Sequence, residues 1–254
     1  MLEVRRLCRN FGGLPALSEV SFRAVAGEVT ALIGPNGAGK STLINCATGV
    51  DRADAGDVLL GDRVITGLSA HRLAALGVAR TFQNLRLFPR LSVLDNVLCG
   101  LTAVAGESLL AALLRPPALR QRERQLRLVA LAALDRFGLT PLADWPVSTL
   151  SYGDRKRVEL ARAVVSEPRL LLLDEPVAGL NAAETAAVGR EIRSLRAQGY
   201  TVLLVEHDME LVMSIADRVV VLDGGRCIAQ GTPAEVRRNP LVLEAYLGKT
   251  SLVA

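Results

Sequence analysis

No run of about 18 uncharged apolar residues occurs anywhere in the sequence, so no segment is expected to span a bilayer. The richest apolar stretch, Leu101 to Leu114, is too short and contains Glu107. The opening Met1-Leu2-Glu3-Val4-Arg5 lacks the apolar core of a secretory signal, which makes the cytoplasm the expected compartment. Cysteine is sparse and scattered: Cys8, Cys46, Cys99 and Cys227 form no C-x-x-C pair, and no histidine lies near one. That argues against a cysteine-based metal site and leaves reduced thiols. Internal repeats and low-complexity tracts are absent. The net charge of +4 is too small to point to nucleic acid.

What remains is an ordinary globular composition. At 254 residues, half of them hydrophobic, the chain suits one large α/β domain with a sizeable core. Its mean hydropathy, +0.30, is high. Parallel strands covered on both faces account for much of that, and a buried partner interface for the rest.

Residues 34–42 read Gly34-Pro35-Asn36-Gly37-Ala38-Gly39-Lys40-Ser41-Thr42, an unbroken match to the phosphate-loop pattern. The β-forming run Val29–Ile33 precedes it, and Lys40–Ala47 reads as a helix. The three glycines permit backbone turns that a Cβ would block, which lets amide N–H groups face inward around a β-phosphate. The helix start adds unpaired N–H groups and the positive end of its dipole. Lys40 brings charge to the β- and γ-phosphates, and the Ser41 hydroxyl can ligate magnesium. A nucleoside triphosphate is therefore the expected ligand.

Upstream, Leu2–Leu7, Val20–Val25 and Val29–Ile33 read as an antiparallel sheet region leading into this loop, which Val58–Leu60 and Arg63–Ile65 continue. Residues from about 84 to 165 read mostly helical. Ser92 caps Val93–Cys99, Pro116-Pro117 breaks the pattern, a long helix runs from about 118 to 137, and Pro141–Pro146 is a loop. Beyond Val164, strands at Leu170–Leu173, Thr201–Val205 and Val219–Leu222 alternate with helices near 183–197 and 209–216. That alternation predicts a parallel sheet with right-handed crossovers. Thr232-Pro233-Ala234-Glu235 is a capping box with proline at the first helical position.

Three strand tips carry polar residues. Leu170–Leu173 ends in Asp174 and Glu175: Asp174 is placed to hold magnesium, and Glu175 to orient the water attacking a γ-phosphate. Gln83 follows Arg80-Thr81-Phe82, and its amide can reach the metal or the water. His207 follows Thr201–Glu206. An imidazole there can contact a γ-phosphate or be a plain surface residue, and the residues alone leave both open. Leu150-Ser151-Tyr152-Gly153-Asp154 opens a helix with Ser151 as N-cap and Asp154 in the box position. Ser151, the Gly153 amide and the helix dipole can also form a second anion site, which only a symmetric partner brings to a phosphate loop.

These motifs, in this order and along nearly the whole chain, resemble an ABC transporter ATP-binding subunit. The correspondence takes in the Walker A loop (34–42), the Q-loop (Gln83), the signature (Leu150–Asp154), the Walker B strand (Leu170–Glu175), the D-loop (Ala178-Gly179-Leu180-Asn181) and the switch histidine (His207). Phe11 falls where the family stacks an aromatic on adenine; a core aromatic is the plainer alternative. Arg80-Thr81-Phe82-Gln83-Asn84, an extended helical insert near 101–127, Glu206-His207-Asp208-Met209 and Glu244-Ala245-Tyr246-Leu247-Gly248 are similar to the larger ATPase subunit of branched-chain amino acid importers. Urea and other amide importers share that type, and lipid or lipopolysaccharide exporters share the motifs.

The resemblance implies a P-loop NTPase core with a mostly parallel sheet, an N-terminal antiparallel β-subdomain and an inserted α-helical subdomain. Residues 1–83 and 166–230 would form the core, 84–165 the helical part and 231–254 a helical tail. It implies ATP and Mg²⁺, with Ser41, Gln83 and Asp174 around the metal and Glu175, His207 and Gln83 in catalysis. The signature Ser151, Tyr152, Gly153 and Asp154 would face the ATP of a partner. The implied partners are two membrane permeases, a second ATPase (a like or a sister chain) and, indirectly, a solute-binding protein, at the cytoplasmic face of the membrane. Arg86, Leu87, Phe88 and Arg90 are candidates for the permease contact, with ordinary packing as the alternative. The basic run Arg115, Arg120, Arg122, Arg124, Arg127 reads as a solvated face before a lipid-facing one. Tyr152 and Asn181 depart from the general family but suit this branch. Asp154, where glutamine is common, sets a negative charge near the partner's triphosphate and is expected to weaken closure.

Overall fold

The computed structural model describes residues 1–101 and 117–247. Most of the apolar stretch Leu101–Leu114, the expected insert between 102 and 116, Arg115 of the basic run and the final Gly248 of the tail motif lie outside the described residues.

Two sheets organise the chain. The first is antiparallel, in the order β2-β1-β4-β5, from β1 (Leu2–Phe11), β2 (Leu14–Ala24), β4 (Ala55–Leu60) and β5 (Arg63–Val64). The second has six strands in the order β10-β9-β3-β8-β7-β6. Its members are β3 (Val29–Ile33), β6 (Val78–Arg80), β7 (Leu170–Asp174), β8 (Val202–Val205), β9 (Arg218–Asp223) and β10 (Arg226–Gly231). Neighbours from β9 to β6 pair in parallel, and β10 joins antiparallel to β9.

The run Val29–Ile33 therefore does not belong to the antiparallel region, as its position in the chain suggests. It pairs in parallel with β8 and β9. Every one of its residues is buried. A continuous apolar run is what a strand covered on both faces requires. Strands β1 and β2 are longer than the expected Leu2–Leu7 and Val20–Val25. Their pairing slips at several points, with Arg6 and Glu19 at positive φ, so the alternation that marks a half-buried strand is broken midway. Strand β10 went unforeseen. It is a partly exposed edge strand joined to β9 through Gly224-Gly225, both at positive φ. The expected loop Pro141–Pro146 is flanked and partly taken up by short 3₁₀ turns at Thr140–Leu142 and Val147–Thr149.

The helices are α1 (Lys40–Ala47), α2 (Ala70–Ala75), α3 (Val93–Leu98), α4 (Pro117–Arg136), α5 (Tyr152–Val164), α6 (Ala182–Ala197), α7 (Met209–Ile215), α8 (Pro233–Arg237) and α9 (Pro240–Leu247). The caps expected at Ser92, Ser151 and Thr232 are present, and Asn181 adds one that the sequence reading did not name. Ser92 accepts from the Asp95 amide at 3.0 Å and Ser151 from the Asp154 amide at 3.1 Å. Asn181 and Thr232 form full capping boxes with Glu184 and Glu235. No helix among the described residues is long and apolar enough to cross a membrane.

The pleat of β7 divides the core. Leu171 and Leu173 pack with the helices α3 to α7, while Leu170 and Leu172 pack with α1 and the antiparallel sheet. Both clusters press on the same strand, so the position of its carboxyl end is set from two sides. Leu172→Ala, at a site 1% exposed, is expected to cost about 2–5 kcal/mol of stability. A urea unfolding titration measures it, and a loss below about 1 kcal/mol contradicts this packing.

Candidate functional site

Strand β3 delivers the chain to Gly34 at its carboxyl end. A methyl group at Gly34 would overlap the Leu222 carbonyl oxygen of β9, so the loop can pass there only as glycine. Gly39, at φ +100°, starts α1 with no side-chain cap. The first amides of that helix are therefore not spent on a side chain and remain available to an anion. Lys40 is buried, and its Nζ donates to the carbonyls of Gly34 at 2.7 Å and Pro35 at 3.0 Å. Burial lowers its pKa, against the pull of the Glu175 carboxylate. Ser41, the next residue, exposes its side chain on the same turn.

The tips of β6, β7 and β8 gather beside this loop. Gln83 Nε2 donates to Glu175 Oε2 at 2.9 Å, and His207 Nδ1 stands 3.9 Å from Glu175 Oε1. The His207 side chain is 61% exposed. Glu175 itself has φ +49°, a left-handed backbone unusual for a residue with a side chain and typical of functional strain. Asp174, buried one residue earlier, takes a hydrogen bond from Arg80 on Oδ2 at 2.8 Å. Asp174 Oδ1, the Ser41 hydroxyl and the Gln83 amide oxygen are the oxygens that could hold a cation. Among the described residues no group of three acidic, cysteine or histidine side chains converges. One carboxylate, one hydroxyl and one amide oxygen suit magnesium, which keeps waters and substrate phosphates as its other ligands.

Gln83, Glu175 and His207 thus meet in one place, with Asp174 next in the chain, and Lys40 lies near enough to feel the Glu175 carboxylate; Ser41 follows Lys40 on α1. Two other expected contributors stand apart from them. Phe11, at the end of β1, is 45% exposed with the Arg9 guanidinium 4.5 Å over its ring, which is not a core position. The signature residues Ser151–Asp154 pack instead on the turn before α6: a methyl at Gly179 would touch the Tyr152 ring, and one at Gly153 would touch Glu184. Asp154 is no bare charge. It pairs with Arg157 and accepts from the Ser151 hydroxyl at 2.8 Å. Of the permease-contact candidates, Arg86 and Phe88 line a groove of about 550 Å³ with Phe82 and Arg162, whereas Leu87 packs into the helical core. Arg122, Arg124 and Arg127 of the basic run are exposed.

Two cations, one buried and one largely so, escaped the sequence reading. Arg80 holds Asp174. Lys156, on α5 and 2% exposed, directs its ammonium to the carbonyls of Gln83 and Glu175, 3.5 Å from each. Burial lowers its pKa, while Glu159 and Glu206 pull the other way. Nothing in local pattern announces either residue, because basic side chains beside a helix start or a strand end usually face solvent.

A family model described as "ABC transporter" matches residues 17–178, and a second, "Branched-chain amino acid ATP-binding cassette transporter", matches residues 226–250. The chain belongs to the ABC transporter family of ATPases. It is 44% identical to the high-affinity branched-chain amino acid transport ATP-binding protein BraF of Pseudomonas aeruginosa, and 42% identical to LivG of Escherichia coli, which has the same description. Each match covers 98% of both chains. The crystal structure of a nucleotide-free ATP-binding cassette from an ABC transporter superposes with a TM-score of 0.85 at 34% identity, over 98% of this chain and 99% of that one. The β-subdomain, parallel core and helical layer are accordingly those of an ABC ATPase.

Behind the signature helix, Glu191 of α6 shares a cleft with Arg157, and its Oε2 has no hydrogen-bond partner. Burial pushes its carboxyl up to about 7, against Arg157 and Arg190. A folded pKa raised above the unfolded 4.5 favours the fold at low pH. That advantage is complete below about pH 4.5 and gone once pH rises through 7. Glu191→Gln is therefore expected to stabilise the protein at pH 8 by about 1 kcal/mol, after discounting for partial exposure, and to lose that gain by pH 5. Thermal melts of both chains at the two pH values test it.

Proposed function

We propose that this chain is the ATP-hydrolysing subunit of an importer of branched-chain amino acids, or of a related amino acid or amide. The observation that carries the reading is the end-to-end likeness to two branched-chain transport ATP-binding proteins, which extends to the tail matched at 226–250. Residues 1–83 and 166–230 act as the nucleotide-binding core, 84–165 as the helical part and 231–254 as the tail. The protein works at the cytoplasmic face of the membrane, paired with a second ATPase and seated on two permeases that receive solute from a binding protein.

In this reading the amides of Gly37 to Lys40 receive the β-phosphate. Lys40 leaves the Gly34 and Pro35 carbonyls for the phosphate oxygens, which give its desolvated ammonium a counter-charge. Phe11 offers the ring face not covered by Arg9 to adenine. Ser41, Asp174 and Gln83 would hold magnesium, which would neutralise charge on the transferred phosphoryl group. Glu175 takes the proton of the attacking water, Gln83 fixes the Glu175 carboxylate, and His207 touches the γ-phosphate. Ser151, Tyr152, Gly153 and Asp154 serve the nucleotide bound by the partner. Arg157 offsets the Asp154 charge, so Asp154 opposes closure less than its position in the sequence suggests.

Motion reaches the permeases through the groove beside Gln83. Its two phenylalanines and the cations Arg86 and Arg162 fit an amphipathic permease loop with an acidic residue.

Glu175→Gln is expected to lower hydrolysis by about 10²–10⁴-fold, the usual worth of a general base, while ATP-dependent pairing survives. Steady-state phosphate release and size-exclusion chromatography with ATP measure the two. A wild-type rate would remove Glu175 from the chemistry. The solute is tested by uptake of labelled leucine and of urea in cells with and without the chain. Loss of leucine uptake supports the branched-chain reading, and loss of urea uptake alone moves the solute to the amide class.

A further inference from the structure

Arg80 is the last residue of β6, yet its side chain runs inward and is only 12% exposed. Its Nη1 donates to Asn45 Oδ1 at 3.0 Å and to Thr48 Oγ1 at 2.8 Å, and its Nη2 donates to Asp174 Oδ2 at 2.8 Å. The Thr48 hydroxyl gives its own proton to the Ile44 carbonyl at 2.7 Å, which leaves a lone pair for Arg80. Helix α1 has no basic residue in its last turn, and Arg80 supplies that charge from another strand, at the negative end of the helix dipole. The Asp174 amide donates to Thr81 Oγ1 at 3.2 Å, so backbone and carboxylate are both anchored from β6 and the residue after it.

We infer that Arg80 is the positioning residue of the cation site: its fork fixes the plane of the Asp174 carboxylate, presents Oδ1 alone to the metal, and ties that carboxylate to the far end of the helix whose first turn carries Ser41. The inference rests on the reading of Asp174 and Ser41 as the cation's ligands. With Arg80 in place, Asp174 and the far end of the helix that carries Ser41 are tied to one planar group, which sets their relative position before a metal arrives. A site spaced in advance binds its cation without reorganising. Arg80 and Phe82, whose ring lies 5.0 Å from the guanidinium, also line the groove beside Gln83. The groove wall is therefore one side chain away from the metal ligand.

Lysine cannot replace this fork, because a single ammonium reaches Asp174 or the Asn45–Thr48 pair but not both. The probe is Mn²⁺ with ADP, read by electron paramagnetic resonance of bound Mn²⁺ and by ADP affinity with and without metal. Arg80→Lys and Arg80→Gln are compared with Thr48→Val, which removes one acceptor and spares the Asp174 contact. In either Arg80 variant, Mn²⁺ affinity is expected to fall by about tenfold or more, with metal-free ADP affinity within about twofold of wild type. Thr48→Val is expected to lower the melting temperature and keep the wild-type Mn²⁺ affinity. Wild-type Mn²⁺ affinity in the Arg80 variants, or a parallel loss of metal-free and metal-bound ADP affinity, overturns the inference. If ADP binding by the wild-type chain is indifferent to Mn²⁺, the ligand reading itself fails.

Discussion

Helix α1 begins on a left-handed glycine with no side chain to receive its first amides. Those donors lie at the end of a wholly buried strand, where water is excluded on the protein side and an anion is the natural partner. Much of the architecture serves to keep them there. Strand β9 passes so close to Gly34 that no side chain fits between them, and a methyl at Gly39 would meet the Ala16 carbonyl of β2 at 2.7 Å. The loop is thus wedged between the parallel sheet and the antiparallel sheet. The second sheet is needed because it supplies the other wall.

The same parallel sheet explains why the polar residues gather. Strands β3, β6, β7 and β8 run the same way, so their carboxyl ends open on one edge, and each changes from apolar to polar at that edge. Asp174, Glu175, Gln83 and His207 come from segments far apart in sequence, and they meet because a crossover helix returns each strand to the same side. An antiparallel sheet of the same strands would have sent alternate tips to opposite ends.

This logic made much of the site legible before any coordinates. A glycine-rich loop between apolar strand and helix, and a leucine run ending in two acids, are local patterns whose chemistry depends on few distant contacts. What could not be read depended on distance. Strand β3 looked antiparallel because it follows two antiparallel strands, and only its unbroken apolar content argued otherwise. Strand β10 has the half-exposed, mixed composition of an edge and was hidden for that reason, although Gly224-Gly225 is a hairpin signal that reveals it. Arg80 and Lys156 were invisible because their meaning lies in acceptors contributed by other segments: Asn45, Thr48 and Asp174 for one, the Gln83 and Glu175 carbonyls for the other.

Lys156 also ties the helix that opens on Ser151 to the backbone of Gln83 and Glu175. It sits on the first turns of α5, a few residues after Ser151, on a helix whose N-terminus faces outward and whose buried face reaches Gln83 and Glu175. At 3.5 Å the two contacts are long for hydrogen bonds, and their strength comes from a charge held in a dry place. An ammonium so placed favours one arrangement of two carbonyls whose own side chains are already joined, Gln83 Nε2 to Glu175 Oε2. Tyr152 adds a second link by resting on Gly179, in the turn between Glu175 and α6. Lys156 and Tyr152 thus fasten α5 to the backbone on either side of Glu175. The Ser151 cap at one end of the helix and the Lys156 contact with the Glu175 carbonyl on its buried face belong to a single element.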